Sequence, residues 1–339
     1  MAIKECPLIS LVIPMRNEAY HIAKCLESII SQDYPIEKME IIVVDGNSDD
    51  DSLAIARKYA NQYKFIKLFN NPKKITPVSM NIGINKSMGE IIIILSAHSY
   101  IAQDFVSTSV NYLNETGADC VGGAIELLNS SNTYVGRMIS YALVSPFGVA
   151  NSLFRYSNNE QYVDTVFNGA YKREVFNKIG LFDETLVRNQ DIELNSRIRM
   201  NGGKIFYTPK IKSFPYTRPS IDKMIKQNFG NGLWNIMTFL KNPRALSLRH
   251  FVPMLFVFSL LLCLIMSPFI VRSWYLFWAI LIAYFSMAIL FSFPIVFRRG
   301  FVYLFGLPFV FFLFHFSYGL GSLFGLFNEI IRKNGYKMK

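Results

Sequence analysis

Charge is scarce in this chain. Asp, Glu, Lys and Arg together make up 17% of its 339 residues, which is little for a water-soluble protein. Cysteine is scarcer still. Cys6, Cys25, Cys120 and Cys263 lie far apart with no C-x-x-C spacing, which argues against a zinc site and for reduced, buried thiols. No arginine-rich stripe and no nucleic-acid module accompanies the net charge of +11, so no nucleic-acid partner is expected. Anionic headgroups and phosphate-bearing substrates suit that charge better. No secretory leader is expected either. Met1 to Ser10 is too short and runs straight into a strand-like stretch, which predicts a cytosolic N-terminal domain.

What is abundant is apolar, at 51% hydrophobic and 15% aromatic residues with thirty Phe. The excess is uneven. The first 240 or so residues read as an α/β domain, and the remainder carries long apolar runs.

Leu8 to Pro14, Glu40 to Asp45, Phe65 to Phe69 and Glu90 to Leu95 are short apolar runs that read as buried strands. Helical periodicity falls between them, at Glu18 to Gln32, Asp50 to Gln62 and Val78 to Lys86. Continuous apolar strands alternating with helices predict an α/β, mostly parallel sheet covered on both faces. Ligands of such sheets bind at the carboxyl ends of the strands. Those ends carry Arg16-Asn17-Glu18, Asp45-Gly46-Asn47 and Ser96-Ala97-His98. Tyr134 to Tyr156 reads either as a core helix pair or as a surface meeting the membrane or a lipid acceptor. Asn189 to Met200 reads as a helix with Asp191 and Glu193 in its first turn.

Three segments, 251–271, 274–297 and 301–327, are long and apolar enough to cross a bilayer. Arg272 reads as part of a tight link between the first two. Gly321 and Gly325 form a G-x-x-x-G step that permits close helix approach. Lys241, Arg244 and Arg249 before the first span, and Arg298 and Arg299 after the second, fit a cytosolic side. The basic tail at 332–339 conflicts with three full spans, so either that rule is broken or one segment is re-entrant. The expected organisation is a catalytic domain at 1–215, an interfacial helical region at 216–250, the anchor at 251–331 and the tail.

Several clusters suit chemistry. Asp45 at a strand end suits a uracil imide or ribose hydroxyls, while an Asx turn capping the next helix explains the same pattern. His98 suits a divalent metal through a neutral ring nitrogen, or a structural hydrogen bond. Asp191 suits a general base, or a first-turn acid serving the helix dipole. Arg218 and Lys226 suit a leaving diphosphate, and Trp234 a sugar ring or the interfacial belt. An amphipathic interfacial helix explains the same stretch.

In their order these clusters resemble glycosyltransferase family 2, with its GT-A fold. The resemblance is carried by Ile13-Pro14-Met15-Arg16-Asn17-Glu18, Val44-Asp45-Gly46-Asn47-Ser48-Asp49, Asn81-Ile82-Gly83-Ile84 and Ser96-Ala97-His98. It continues through Asn168-Gly169-Ala170-Tyr171-Lys172-Arg173, Gly180-Leu181-Phe182-Asp183-Glu184 and Asn189-Gln190-Asp191-Ile192-Glu193-Leu194. It covers roughly residues 8 to 240, and its later part looks most like bacterial succinoglycan-type exopolysaccharide glucosyltransferases.

The resemblance implies a nucleotide-sugar site of Pro14, Arg16, Glu18, Asp45, Asn81, Ser96 and Ala97. It implies a divalent metal, Mn2+ or Mg2+, on His98, and Asp191 as the base. Glu193, Arg218, Gln227 and Trp234 would serve the acceptor and diphosphate. Ser96 departs from the family, which has Asp there. The expected activity is inverting transfer from a nucleotide-sugar, in the first place a uridine diphosphate sugar, to a polyprenyl-phosphate-linked or growing glycan. The enzyme would sit in the plasma membrane as a multi-pass protein with a cytoplasmic catalytic domain. A processive polysaccharide synthase and a catalytically degenerate scaffold subunit are the competing readings.

Overall fold

The computed structural model describes residues 6–128, 133–149, 152–217 and 220–333. The chain divides into two compact units. One comprises Met1–Leu128 and Leu153–Tyr216, the other Asn129–Ser152 and Thr217–Lys339.

The first unit begins with β1 (Ile9–Met15), α1 (Ile22–Ile30), β2 (Met39–Asp45), α2 (Ser52–Gln62), β3 (Ile66–Asn70), α3 (Thr76–Lys86) and β4 (Ile91–Ile94). It continues through β5 (Ser99–Ile101), α4 (Phe105–Thr116) and β6 (Cys120–Ile125). After the excursion into the second unit it resumes with β7 (Gln161–Tyr162), β8 (Ala170–Lys172), α7 (Arg173–Ile179), α8 (Gln190–Met200) and β9 (Ile205–Pro215). Among the described residues these strands form one sheet in the order β3-β2-β1-β4-β8-β6-β9-β5, with β7 also on β9.

β1 pairs in parallel with β2 and β4, and β2 with β3, as their helical crossovers require. Beyond β4 the sheet is mixed. β8 runs antiparallel to both β4 and β6, whereas β6 and β9 are parallel.

Alternation along the strands separates the two faces. Ile9, Leu11, Ile13 and Met15 of β1 pack with Ile41, Val43, Ile93 and the inner sides of α1 and α4. Val12, Ile42, Val44 and Ile92 face Met80 and Ile84 of α3, with Phe176, Leu194 and Ile198. Both faces are covered, so the strands read as unbroken apolar runs. α3 presses so close to β1 that a Cβ on Gly83 would stand 2.2 Å from Val12 Cγ1.

The second unit holds α5 (Tyr134–Val144), α6 (Pro146–Val149), α9 (Ile221–Lys241), α10 (Val252–Met266), α11 (Val271–Arg299) and α12 (Tyr303–Lys333). Among the described residues three helical stretches are long and apolar enough to cross a membrane: Leu248–Met266, Val271–Arg299 and Tyr303–Ile331. The break between the first two falls at Ser267–Ile270, and Arg272 lies in the first turn of α11 instead of in the link. Pro268 accounts for the break, since it has no N–H to donate back into α10.

The stretch at 134–149 is a helix pair. Met138, Ile139 and Ala142 are buried with Leu307, Val310 and Phe311 of α12. His315 is bonded to Tyr284 (2.7 Å) within the bundle. α9 lies against α12 at backbone distance. A Cβ on Gly321 would meet Phe229 O at 2.1 Å, so the G-x-x-x-G step is used for contact between these two helices.

Candidate functional site

Two strand-end loops are sewn together at the carboxyl edge of the sheet. Asn17 follows β1 with φ 55°, a conformation that asparagine tolerates better than most residues. Its Oδ1 accepts from Asp49 N–H (2.8 Å), and its own N–H donates to Ser48 Oγ (3.0 Å). Glu18 N–H donates to Ser52 Oγ (2.6 Å). Asp45, 3% exposed at the end of β2, accepts from the Ser48 hydroxyl (2.6 Å) and amide (3.2 Å). The turn part of the reading is therefore realised, whereas Asp51, at the N-cap of α2, makes no side-chain cap. A third loop, after β4, is braced from β8: Asn168 Oδ1 accepts from Ser96 N–H (3.1 Å).

These loops surround a cleft of about 320 Å³. Pro14, Arg16, Glu18, Ser96, Ala97, His98 and Asp191 all line it, together with Gly46, Lys74, Asn168, Tyr171 and Gln190. Its apolar walls are Met80, Ile94, Val166, Phe167 and Phe182. His98 Nδ1 lies 3.1 Å from Glu18 Oε1, and Ser96 Oγ lies 3.1 Å from the same nitrogen. Arg16 reaches Asp49 only at 3.9 Å, and both side chains are open to solvent, so this pair contributes little.

Asp191 sits in the first turn of α8. Burial pushes its carboxyl above the ordinary aspartate value, opposed by hydrogen bonding from its own amide and that of Ile192. Beside it, the Oε1 of Gln190 is buried without a hydrogen-bond partner.

Other expected site residues are occupied elsewhere. Asn81 is a clip between α3 and the turn before α8, donating to Phe182 O (2.9 Å) and accepting from Phe182 N–H (3.0 Å). Glu193, 6% exposed, is held by Arg197 (2.8 Å), whose guanidinium also donates to Ile179 O and Leu181 O. That clamp fastens α8 to the turn after α7. Gln227 and Trp234 are on α9 in the second unit. Arg218 lies outside the described residues.

Asn168, Lys74 and Gln190 had not been singled out as site residues. Asn168 has a signal in its Asn-Gly dipeptide, and Gln190 stands next to Asp191 in the motif at 189–194; Lys74 lies in none of the motifs.

The chain matches the family model described as glycosyl transferase family 2 over residues 10–180. The match runs through every loop that borders the cleft except the one before α8. The chain belongs to glycosyltransferase family 2. It is 31% identical over 229 residues to a dolichyl N-acetyl-alpha-D-glucosaminyl phosphate 3-beta-D-2,3-diacetamido-2,3-dideoxy-beta-D-glucuronosyltransferase of Methanococcus voltae, covering 66% of this chain and 71% of that protein. It is 27% identical to the succinoglycan biosynthesis protein ExoA of Rhizobium meliloti, covering 72% of this chain and 74% of that protein.

The solved structure of mannosyltransferase PcManGT from Pyrobaculum calidifontis, in complex with GDP-Man and Mn2+, resembles this family 2 chain with a TM-score of 0.61. That likeness has 17% identity and covers 94% of this chain and 88% of that one. The glycosyltransferase therefore shares its fold with a GT-A enzyme.

Asp45→Ala in this glycosyltransferase is expected to lower the melting temperature, because the Ser48 donors lose their acceptor. It is also expected to weaken nucleoside diphosphate binding by about 1–3 kcal/mol, through the lone pairs that remain on the two carboxylate oxygens beside the Ser48 donors. Calorimetric titration with UDP separates the two effects. Unchanged affinity with lowered melting would leave Asp45 as a turn residue only.

Proposed function

We propose that this glycosyltransferase moves a sugar, with inversion, from a uridine diphosphate sugar to a lipid-linked or growing glycan at the cytoplasmic face of the membrane. The observation that carries the reading is the cleft itself. A desolvated carboxylate, Asp191, shares it with a Glu18–His98 pair at the strand ends.

In this reading Asp191 takes the proton from the acceptor hydroxyl. The hydroxyl oxygen bonds to the anomeric carbon as the bond from that carbon to the diphosphate breaks, and a nucleoside diphosphate leaves. A half-buried carboxylate with raised basicity suits that task. Pro14, Arg16 and Asp45 are assigned to the nucleoside side of the donor, with Ser96 and Ala97 beside its diphosphate.

The donor set suits a divalent ion that takes most of its ligands from phosphate and water. Glu18 and His98 offer one carboxylate oxygen and one imidazole nitrogen. Among the described residues no group of three or more His, Cys, Asp or Glu side chains comes together to hold a metal. Such an ion, when bound, would neutralise charge developing on the leaving diphosphate.

The acceptor assignment draws on the relatives. The archaeal one is named for transfer to a dolichyl-phosphate-linked sugar and the bacterial one for succinoglycan biosynthesis. The apolar helices and the Arg298-Arg299 pair favour an anchor with the catalytic domain on the cytoplasmic side.

One experiment tests donor, acceptor and side together. Membrane vesicles of both orientations, from cells expressing the full chain, receive labelled UDP-sugars or GDP-mannose with Mn2+. The expected result is label in the lipid extract with a UDP-sugar, and only when the cytoplasmic face is outward. Transfer from GDP-mannose alone would overturn the uridine assignment. Transfer with the opposite face outward would overturn the orientation.

A further inference from the structure

Among the described residues, five other than glycine have left-handed backbone: Asn17, Asn47, Lys74, Asn168 and Asn189. All lie in loops at the ends of the elements that form the cleft: three follow β1, β2 and β3, and two precede β8 and α8. Four are asparagine, the side chain that accepts this conformation most readily after glycine. Lys74, at φ 63°, is the exception. Its long side chain gains nothing locally from the geometry, and strain of this kind persists where the surroundings enforce it.

The surroundings do enforce it. Asn71 is fully buried. Its Nδ2 donates to Ile75 O (2.9 Å) and Ser79 Oγ (2.8 Å), its Oδ1 accepts from Lys73 N–H (3.0 Å), and its carbonyl accepts from Lys74 N–H (3.2 Å). The two lysines then part company. Lys73 turns to Glu184 (3.1 Å). Lys74 lines the cleft, and among the described residues it has no carboxylate within ion-pair distance.

The cleft also calls for positive charge. A dication at the strand ends would meet the Glu18 carboxylate and the His98 imidazole, and among the described residues no group of three or more His, Cys, Asp or Glu side chains gathers to hold one. A diphosphate diester brings two negative charges. A flexible ammonium is a compact point charge that phosphate accepts from many directions.

We propose that Lys74 is a phosphate-binding residue of this site, its ammonium held against the diphosphate of the donor by an enforced left-handed turn. The proposal rests on the nucleotide-sugar reading above.

The test uses the detergent-purified full chain titrated with UDP and with GDP in the presence of Mn2+, following whichever binds more tightly. Lys74→Gln is expected to weaken binding at least about tenfold, the scale of one lost charge-assisted contact. Lys74→Arg should stay within about threefold of wild type, since it keeps the charge at the same backbone. Lys74→Asn should lose affinity like Lys74→Gln yet melt no lower than wild type, because asparagine suits the turn. Affinity should also depend less on salt in both neutral variants.

Lys74→Gln within about twofold of wild type would overturn the proposal. So would Lys74→Arg losing as much as Lys74→Gln, which would make the loop's shape the cause. If wild type binds neither diphosphate, the nucleotide-sugar reading itself fails and takes this proposal with it. Binding that ignores Lys74 sinks the proposal alone.

Discussion

Asp191→Asn is expected to lower sugar transfer by about 10²–10⁴-fold while nucleoside diphosphate binding survives. The amide keeps the size of the side chain and can still face the cleft, but it cannot take a proton. Stability should move the other way. Burial raises the Asp191 carboxyl above its ordinary value, so the folded state holds that proton more tightly than the unfolded chain does. Folded stability is therefore lost as pH rises from the unfolded value through the raised one, and the loss is complete above it. The neutral variant has no such loss. It should melt higher than wild type at neutral pH, and the difference should close in acid.

Wild-type transfer should fall on the acid side as pH drops through the raised value. Glu193→Gln supplies the contrast. Two residues along a helix turn a side chain by about 200°, and Glu193 is engaged with Arg197. Its replacement should loosen α8 and lower the melting temperature, with a smaller loss of turnover. If the two losses of turnover are reversed, Glu193 is the base. If neither variant affects transfer, both acids serve only the helix dipole.

These contrasts follow how far the residues could be read in advance. β1 to β4 and the helices between them were legible because each strand is buried on both faces and each helix has an apolar side. The edges moved by a few residues at most: Glu18 to Gln32 became Ile22–Ile30, since His21 and Ile22 donate to Glu18 O and start the helix there. β5, α4, β6 and β9 carry no comparably clear pattern. β6 carries Gly122-Gly123, which is poor strand sequence, and its partners β8 and β9 lie about fifty and eighty-five residues away in register.

Of the site, the strand-end clusters were legible from position and composition. Which polar group is spent inside the protein was not. Asn81 binds Phe182 across a separation of 101 residues, and no local pattern announces that. The Glu193–Arg197 pair, by contrast, has the i,i+4 spacing of a helix-surface bridge. Asn71-Pro72 marks a turn before Lys74, but nothing marks Lys74 as its left-handed residue, because lysine does not favour that conformation.

His98→Ala is expected to raise the Mn2+ or Mg2+ concentration needed for half-maximal transfer by about 10–100-fold, the scale on which single partners of a metal site act. The reason is the small number of ligands: without the imidazole, Glu18 stands alone at the strand ends, and the other carboxylate lining the cleft, Asp191, is assigned to the base. Ser96→Asp should act in the opposite direction, by adding an anionic oxygen beside His98, where Ser96 Oγ already lies 3.1 Å from the ring.

The added carboxylate also places a second negative charge near Glu18, so the metal-free variant should melt lower than wild type. Added Mn2+ should then raise its melting temperature more than it raises that of wild type, and should do least for His98→Ala. This melting readout needs no substrate, so it separates metal binding from turnover. If transfer by wild type and both variants is indifferent to a chelator, the site works without a dication. The diphosphate charge would then rest on cationic side chains at the cleft, Arg16 and Lys74, and the Lys74→Gln loss should be larger than one contact in a metal site would produce.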